Sequence, residues 1–419
     1  MTSPETRCRF EQDIPAWFQN ELSAEEKAEF EQHLAGCPSC EAASEEYRRL
    51  IRDLQAPMPE IPSRDLAPAV LARIRAERSR RWPAFAPVVL RAAAILLALV
   101  LAGVLVGRLR PAIAPRDRFV AAALGWLHET QEPEGRWDAA KWGAQQNYTP
   151  ALTALAALAF LRQDASALRG PHAEVVRRGL DFLLTQQNAE GRFGILCSGT
   201  PYNQGMATLA LIEAAGCGGE PRWREAADKA LEYIRATQLA HGGWGYPRTS
   251  GDPGNTSITV WQLQCLLKAE ALGRGELRPA IEKGMAWLNG VVDEQGRVGY
   301  SRARDFPNGY ETLTAAGALC LLTDPQRSAS AERLAAVLRA LEETAGRTAD
   351  VDYYRLYFTA HALRVSGTEK ADALVTGLQQ TLFACQSQGG KNAGSCETPD
   401  RWTSAGGRVY ATAMAVLAM

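Results

Sequence analysis

The sequence carries almost no excess of charge of either sign. Its 46 basic and 47 acidic residues leave a formal net charge of −1. Whole-chain charge offers no footprint for nucleic acid, so direct nucleic-acid binding is not expected. Cysteine is sparse, with nine residues in 419. That excludes a miniprotein built on disulfides. The cysteines are also unevenly placed: three precede residue 41, six follow residue 196, and none lies between. Sustained alternation of apolar and polar residues is missing from the C-terminal part, which excludes a strand reading there. What is present is ordinary for a folded chain: 46% hydrophobic and 22% charged residues exclude global disorder. At about 150 residues per domain, the length allows two or three domains.

One long apolar run stands out, AAAILLALVLAGVLVG at 92–107. Extended back to Val88 it includes Arg91 and reaches the ~20 residues needed to cross a bilayer. Arg91 would lie near one end, where it can snorkel to the headgroups. Arginines flank the run on both sides, including Arg80, Arg81, Arg108 and Arg110. The expectation is one transmembrane helix at 88–108. It is not a cleavable signal peptide, because about 90 residues precede the run. Upstream, 57–87 reads as a linker, with Pro57, Pro59, Pro62 and Pro68 followed by the arginine-rich VLARIRAERSRR.

The N-terminal segment, 1–56, carries metal-ligand chemistry. His33, Cys37 and Cys40 spell H-L-A-G-C-P-S-C, and Cys8 lies 25 residues before His33. These separations can close a tetrahedral Cys₃His site around Zn2+. Ser23 and Glu26 form a capping box that starts a helix. His33 and Cys37, four apart, are expected on one face of that helix. Pro38 and Ser39 turn the chain, and Cys40 opens a second helix running to Leu54. Residues 21–53 hold nine acids against Lys27, Arg48, Arg49 and Arg52. That face suits a basic partner or is simply solvated.

Over residues 4–55 the pattern resembles the zinc-binding anti-sigma factor domain, H-x3-C-x2-C with an upstream Cys or His. The resemblance implies a domain that occludes an extracytoplasmic-function sigma factor, often followed by a transmembrane helix. A zinc site that only staples the fold is the alternative. Thiolate ligands need reduced cysteines, which favours the cytoplasm for 1–87. Residues 109–419 then face the extracytoplasmic side of a bacterial inner membrane.

The C-terminal part, 117–419, is a repeat. One motif is aromatic–[Leu/Ile]-x3-Gln-x3-Gly-x-aromatic. Its copies are Trp126…Gln131…Gly135-Arg-Trp137, Phe182…Gln187…Gly191-Arg-Phe193 and Tyr233…Gln238…Gly242-Gly-Trp244. Trp287…Val292…Gly296 is degenerate, and Leu382…Gln386…Gly390 is a worn trace. Apolar helices follow, starting near Thr149, Asn203, Thr256, Glu311, Tyr354 and Arg408. Tyr148, Tyr202, Thr256 and Tyr310 are each 54 residues apart. An outer amphipathic helix, a Gly turn and an inner apolar helix, six times over, predict an all-α, (α/α)6 barrel. The repeat resembles the QW repeat of squalene–hopene cyclases and the related prenyltransferase toroid. That resemblance implies a structural role for the Gln and aromatic residues, tying the outer helices together.

The same resemblance sets a chemical test. Class II terpene cyclases protonate an alkene or epoxide with the middle Asp of an Asp-x-Asp-Asp motif. The matching place reads Asp252-Pro253-Gly254-Asn255-Thr256, so Asp252 fits the first Asp while Gly254 and Asn255 replace the others. No catalytic residue is therefore assigned. A ligand cavity is expected instead at the inner-helix N-termini. Its candidate residues are Tyr148, Tyr202, Trp244, Asp252, Thr256, Tyr310, Tyr353, Tyr354, His361 and Tyr410, for a polar-headed lipid or a peptide. Tyrosines that merely pack the barrel end are the other reading. Cys385 and Cys396 pair as a disulfide or stay as two thiols. The function expected is a single-pass membrane regulator that couples the zinc domain to an extracytoplasmic, ligand-binding toroid. A membrane-tethered cyclase or prenyltransferase, and a non-enzymatic scaffold or adhesion module, are the alternatives.

Overall fold

The computed structural model describes residues 8, 10, 14–18, 24–55, 113–163, 166–247, 251–346 and 351–419. The chain divides into two units, Met1–Arg110 and Pro111–Met419. Apart from isolated bridges in turns, the regular structure of the described residues is helical.

The first unit holds α1 (Ile14–Phe18), α2 (Ala24–Leu34) and α3 (Pro38–Gln55). Helix α2 stops at Leu34, three residues earlier than a shared His33–Cys37 helix face requires. Gly36 N–H turns back onto the His33 carbonyl at 3.0 Å. Pro38 then disfavours a helical residue before it and begins α3 itself. Cys37 thus sits in the turn and Cys40 in the first turn of α3. Ile14, Phe30 and Cys40 are buried. Around Phe30 the rings of Phe10 and Trp17 pack at 6.4 and 5.5 Å.

The second unit alternates two kinds of helix. The outer helices are α4 (Pro115–Thr130), α6 (Ala173–Thr185), α8 (Pro221–Ala236), α10 (Arg278–Gly290), α12 (Ala331–Ala345) and α14 (Ala371–Ala384). The inner helices are α5 (Thr149–Gln163), α7 (Thr200–Gly216), α9 (Thr256–Ala271), α11 (Glu311–Thr323), α13 (Tyr353–Ser366) and α15 (Thr403–Ala418). Inner helices are apolar on every side, and α5 is buried from Thr149 to Leu161. Outer helices bury one stripe, as α6 does with Val175, Val176, Gly179, Leu180 and Leu183. Each inner helix packs on the next, and α15 packs back on α5, closing a six-membered ring.

Side chains of the repeat motif lock the outer helices together. Gln131 Nε2, after α4, donates to Val175 O on α6 at 2.8 Å and to Gly135 O at 2.9 Å. Gln187 does the same to Ala226 O on α8, and Gln238 to Ala280 O on α10. The worn trace turns out to be intact. Gln386 donates to Phe119 O on α4 and to Gly394 O, both at 2.9 Å, closing the outer ring. Its glycine partner is Gly394, not Gly390, because the turn is four residues longer. Gly242 (φ +98°) and Gly394 (φ +89°) occupy matching turns. A Cβ there would lie 2.2 Å from Lys283 O and 2.4 Å from Ala122 O, so only glycine fits. Where Val292 replaces the glutamine, the Arg333 guanidinium on α12 donates to Asn289 O on α10.

The membrane part of the expected fold class is corrected. Among the described residues, no helix is long and apolar enough to cross a membrane. The run at 88–108 and the linker at 57–87 lie outside the described residues. The inner-membrane location, with its cytoplasmic and extracytoplasmic sides, falls with that span and is withdrawn.

Candidate functional site

In the first unit the folding of α2, the turn and α3 gathers Cys8, His33, Cys37 and Cys40. Their ligand atoms all lie within 4.8 Å of one another. Cys8 Sγ is 3.2 Å and Cys40 Sγ 3.5 Å from His33 Nε2. Bond lengths of about 2.3 Å to sulfur and 2.0 Å to nitrogen give tetrahedral edges of about 3.5–3.8 Å, so Zn2+ fits. Phe10 stacks on the His33 ring at 4.3 Å and fixes its plane. Burial, then the neighbouring Cys8 and Cys37 thiols, push the Cys40 thiol up to about 12. The backbone amide of Cys40 leads the interactions that hold Cys37 below its ordinary value. Three thiols crowded this closely are the donor set a divalent cation neutralises.

In the second unit a cavity of about 380 Å³ lies where the inner helices begin. Of the ten residues expected there, Tyr148, Tyr202, Tyr354 and Tyr410 line it. The other six do not. Trp244 is buried and donates its indole N–H to Ile234 O at 2.8 Å, a repeat staple. Thr256 donates to Gly299 O at 2.6 Å. Tyr353 is buried and donates to Glu397 O at 2.7 Å. Tyr310 packs against Phe306 with the Arg297 guanidinium over its ring. His361 sits toward the far end of α13, 2.8 Å from Leu417 O. Burial, then the charges of Arg162 and Arg364, lower its pKa to about 3.

Asp252 is a turn brace. Its two carboxylate oxygens accept from Tyr246 N at 2.9 Å and Gly254 N at 2.7 Å. Gly254 has φ +73°, where any side chain is strained. Asn255 is the N-cap of α9, its Oδ1 accepting from Ile258 N at 3.0 Å. The three positions that match the cyclase motif therefore shape a turn and start a helix. Cys385 and Cys396 are free thiols, both buried. His128 and His172, far apart in sequence, meet with Nδ1 atoms 3.0 Å apart.

The cavity wall has members that sequence reasoning missed: Tyr246, Ser257, Tyr300, Thr312, Arg401 and Trp402. A signal existed for two of them, because Tyr246 and Tyr300 each lie two residues after a repeat position, Trp244 and Val298. Among the described residues, no Asp, Glu, His or Cys side chain lines the cavity. Behind it lies a buried acidic pair. Asp352 caps α13 and accepts from Thr312 Oγ1 at 3.0 Å and from Arg401 at 3.2 Å. Asp400 accepts from Tyr410 OH at 3.1 Å and Tyr353 N at 2.8 Å. Burial and the Asp352 charge push Asp400 up to about 6, against the amides that favour its ionised form. Burial likewise raises the hydroxyl pKa values of Tyr148, Tyr202, Tyr354 and Tyr410.

Comparison with known proteins follows the same division. Residues 8–40 match the family described as "Putative zinc-finger". The chain is 32% identical over 203 residues to drimenyl diphosphate synthase of Streptomyces showdoensis, covering 47% of this chain and 34% of that one. It is 29% identical over 123 residues to dammaradiene synthase of Dryopteris crassirhizoma, covering 29% of this chain and 16% of that one. The chain thus spans about a third or less of the curated relatives it matches. Among solved structures, a family 76 glycoside hydrolase from a Bacteroides thetaiotaomicron strain superposes with TM-score 0.56 at 10% identity, over 73% of this chain and 77% of its own. The substrate complex of a variant of the type II terpene cyclase MstE from Scytonema gives 0.51 at 16% identity, over 73% and 96%. At those identities the likeness is one of fold. The chain joins an N-terminal zinc-finger unit to a helical toroid whose fold resembles those of the terpene cyclase and the family 76 hydrolase.

Proposed function

We propose that this chain is a ligand-responsive regulator: the zinc unit engages a sigma factor, and the toroid takes up a small, largely apolar molecule. One observation carries the toroid half. A cavity of about 380 Å³, within the ~300–1,000 Å³ of ligand pockets, is walled by tyrosines and has no Asp, Glu, His or Cys among the described residues of its lining. Such a wall holds a molecule but brings no carboxyl, imidazole or thiol for acid–base work. The curated relatives are named as synthases of drimenyl diphosphate and dammaradiene, so an isoprenoid skeleton is the class we assign. The zinc half rests on the Cys8, His33, Cys37 and Cys40 cluster and on the resemblance of residues 4–55 to anti-sigma domains.

The relatives also favour a second reading, a divergent cyclase. Against it stand Gly254 and Asn255 in the place of the acid. A filled scaffold predicts no pocket, and the cavity speaks against it. The test uses the full chain purified with its zinc. A sigma factor is expected to co-purify stoichiometrically and to be lost from the Cys37→Ser variant. Farnesyl diphosphate incubated with the chain is expected to come back unchanged. Cyclised product, abolished by Tyr202→Ala, would replace this reading with the enzyme.

A further inference from the structure

The ligand reading leaves open what polar group the cavity accepts, and the hydroxyls of its wall decide it. Asn255 Oδ1 can only accept, and its place is fixed by the Ile258 N–H at 3.0 Å. Ser257 Oγ lies 2.8 Å from that oxygen and must donate to it. Serine has one proton, so Tyr202 OH, 3.0 Å from Ser257 Oγ, must donate to the serine. The Tyr202 proton is then spent, and Tyr246 OH at 3.4 Å donates to Tyr202. Two further lining tyrosines point their protons inward. Tyr354 donates to Ser257 O at 3.1 Å, and Tyr410 to Asp400 Oδ2 at 3.1 Å. Thr312 Oγ1 donates to Asp352, and Arg401 is engaged by Asp352 and Asn308 O.

Four of the six lining tyrosines, Tyr202, Tyr246, Tyr354 and Tyr410, therefore give their protons to the protein, and the last three keep lone pairs for the cavity. Tyr148 and Tyr300 complete the lining tyrosines and stand outside this set. We infer that the cavity selects a neutral, hydrogen-bond-donating ligand, an alcohol on an apolar skeleton, and disfavours anionic or acceptor-only head groups. Helix N-termini alone favour the opposite choice, yet the wall in front of them is lined by hydroxyl oxygens. An oxygen with its proton spent repels a phosphate oxygen, and a buried acceptor left unmatched costs binding.

This inference rests on the cavity being a ligand site, and one titration separates the two. The full chain is titrated, with tryptophan fluorescence from Trp402 in the wall, against farnesol, farnesyl methyl ether and farnesyl diphosphate. Farnesol is expected to bind about tenfold more tightly than the ether, and the diphosphate more weakly than farnesol. Ser257→Ala breaks the relay and returns the Tyr202 proton to the cavity. The ether should then bind more tightly and the alcohol-to-ether ratio fall toward one. Diphosphate or ether binding at least as tight as farnesol overturns the inference and leaves the ligand site standing. An unchanged ratio in Ser257→Ala also overturns it. Failure of all three probes to bind overturns the ligand site and the inference together.

Discussion

The two units of this chain are held in different ways. The first has helices of 5, 11 and 18 residues, lengths at which helices are marginal alone. Its described buried side chains are few: Ile14, Phe30, Cys40 and Ser44. Segments of this size usually need a metal or a disulfide. Here the ligands come from both sides of one turn, so a single ion joins everything. The toroid concentrates nothing. Its helices bury one another around a ring, and each staple is a side chain reaching the backbone of the next outer helix. The first arrangement fails at one point, while the second loses one joint at a time.

The largest expected effect follows directly. Removing zinc with a chelator, or replacing Cys37 by Ser, should unfold the first unit, since structural zinc supplies on the order of 10 kcal/mol. Limited proteolysis should then destroy 8–55 and leave 113–419 intact, with only the helicity of the first three helices lost. A toroid that becomes protease-sensitive on chelation would break the comparison.

Next in size is a pair of opposed pH effects inside the toroid. An unfolded histidine takes its proton near 6.5, but His361 does so only near 3 when folded. Between those values the unfolded chain binds the extra proton, so stability falls as pH drops below 6.5. Asp400 works the other way. Its folded carboxyl holds a proton up to about 6 against an ordinary 3.8. Between those values the folded chain binds the extra proton, so stability rises as pH falls from 6 to 4. Each effect amounts to roughly 3 kcal/mol by pH 4, and the two oppose each other. Single substitutions unmask them. Across pH 7 to 4, the Tm of His361→Gln should rise relative to the parent and that of Asp400→Asn should fall relative to it. Parallel profiles for all three would remove this account.

How much of this was legible in the sequence follows from range. The H-x3-C-x2-C spacing is local and gathers three ligands; Cys8, 25 residues upstream, joins them in the fold. The helix starts near Thr149, Thr256 and Glu311 were legible because a wholly apolar helix next to a glycine turn is a strong short-range signal. The shared His33–Cys37 face failed because Gly36 and Pro38 outweigh a four-residue spacing. Asp400 escaped notice because its raised pKa comes from burial and then from Asp352, 48 residues earlier and near it only in the fold. Counting helix N-termini pointed to a polar-headed lipid or a peptide; the direction of the hydroxyl protons, set by Asn255, needs three-dimensional contacts. The apolar run at 92–107 lies outside the described residues, and no described helix is long and apolar enough to cross a membrane.

The smallest effect tests the toroid's joints one by one. Gln386 Nε2 holds two carbonyls, one on its own turn and one on α4. Replacing it by Ala leaves both without that donor and should cost about 1–3 kcal/mol. The substitution opens the outer ring where the last outer helix meets the first. The joint between α10 and α12 already lacks its glutamine, because Val292 stands there and Arg333 reaches Asn289 O instead. Val292→Gln offers the missing staple, but the site is buried and the arginine already serves the joint. It should therefore gain little, well under the loss at Gln386, in chemical denaturation of the two variants side by side. If Gln386→Ala costs nothing, the outer ring does not depend on these staples. The stability of the toroid then lies in the packing of α5 through α15 around the inner ring.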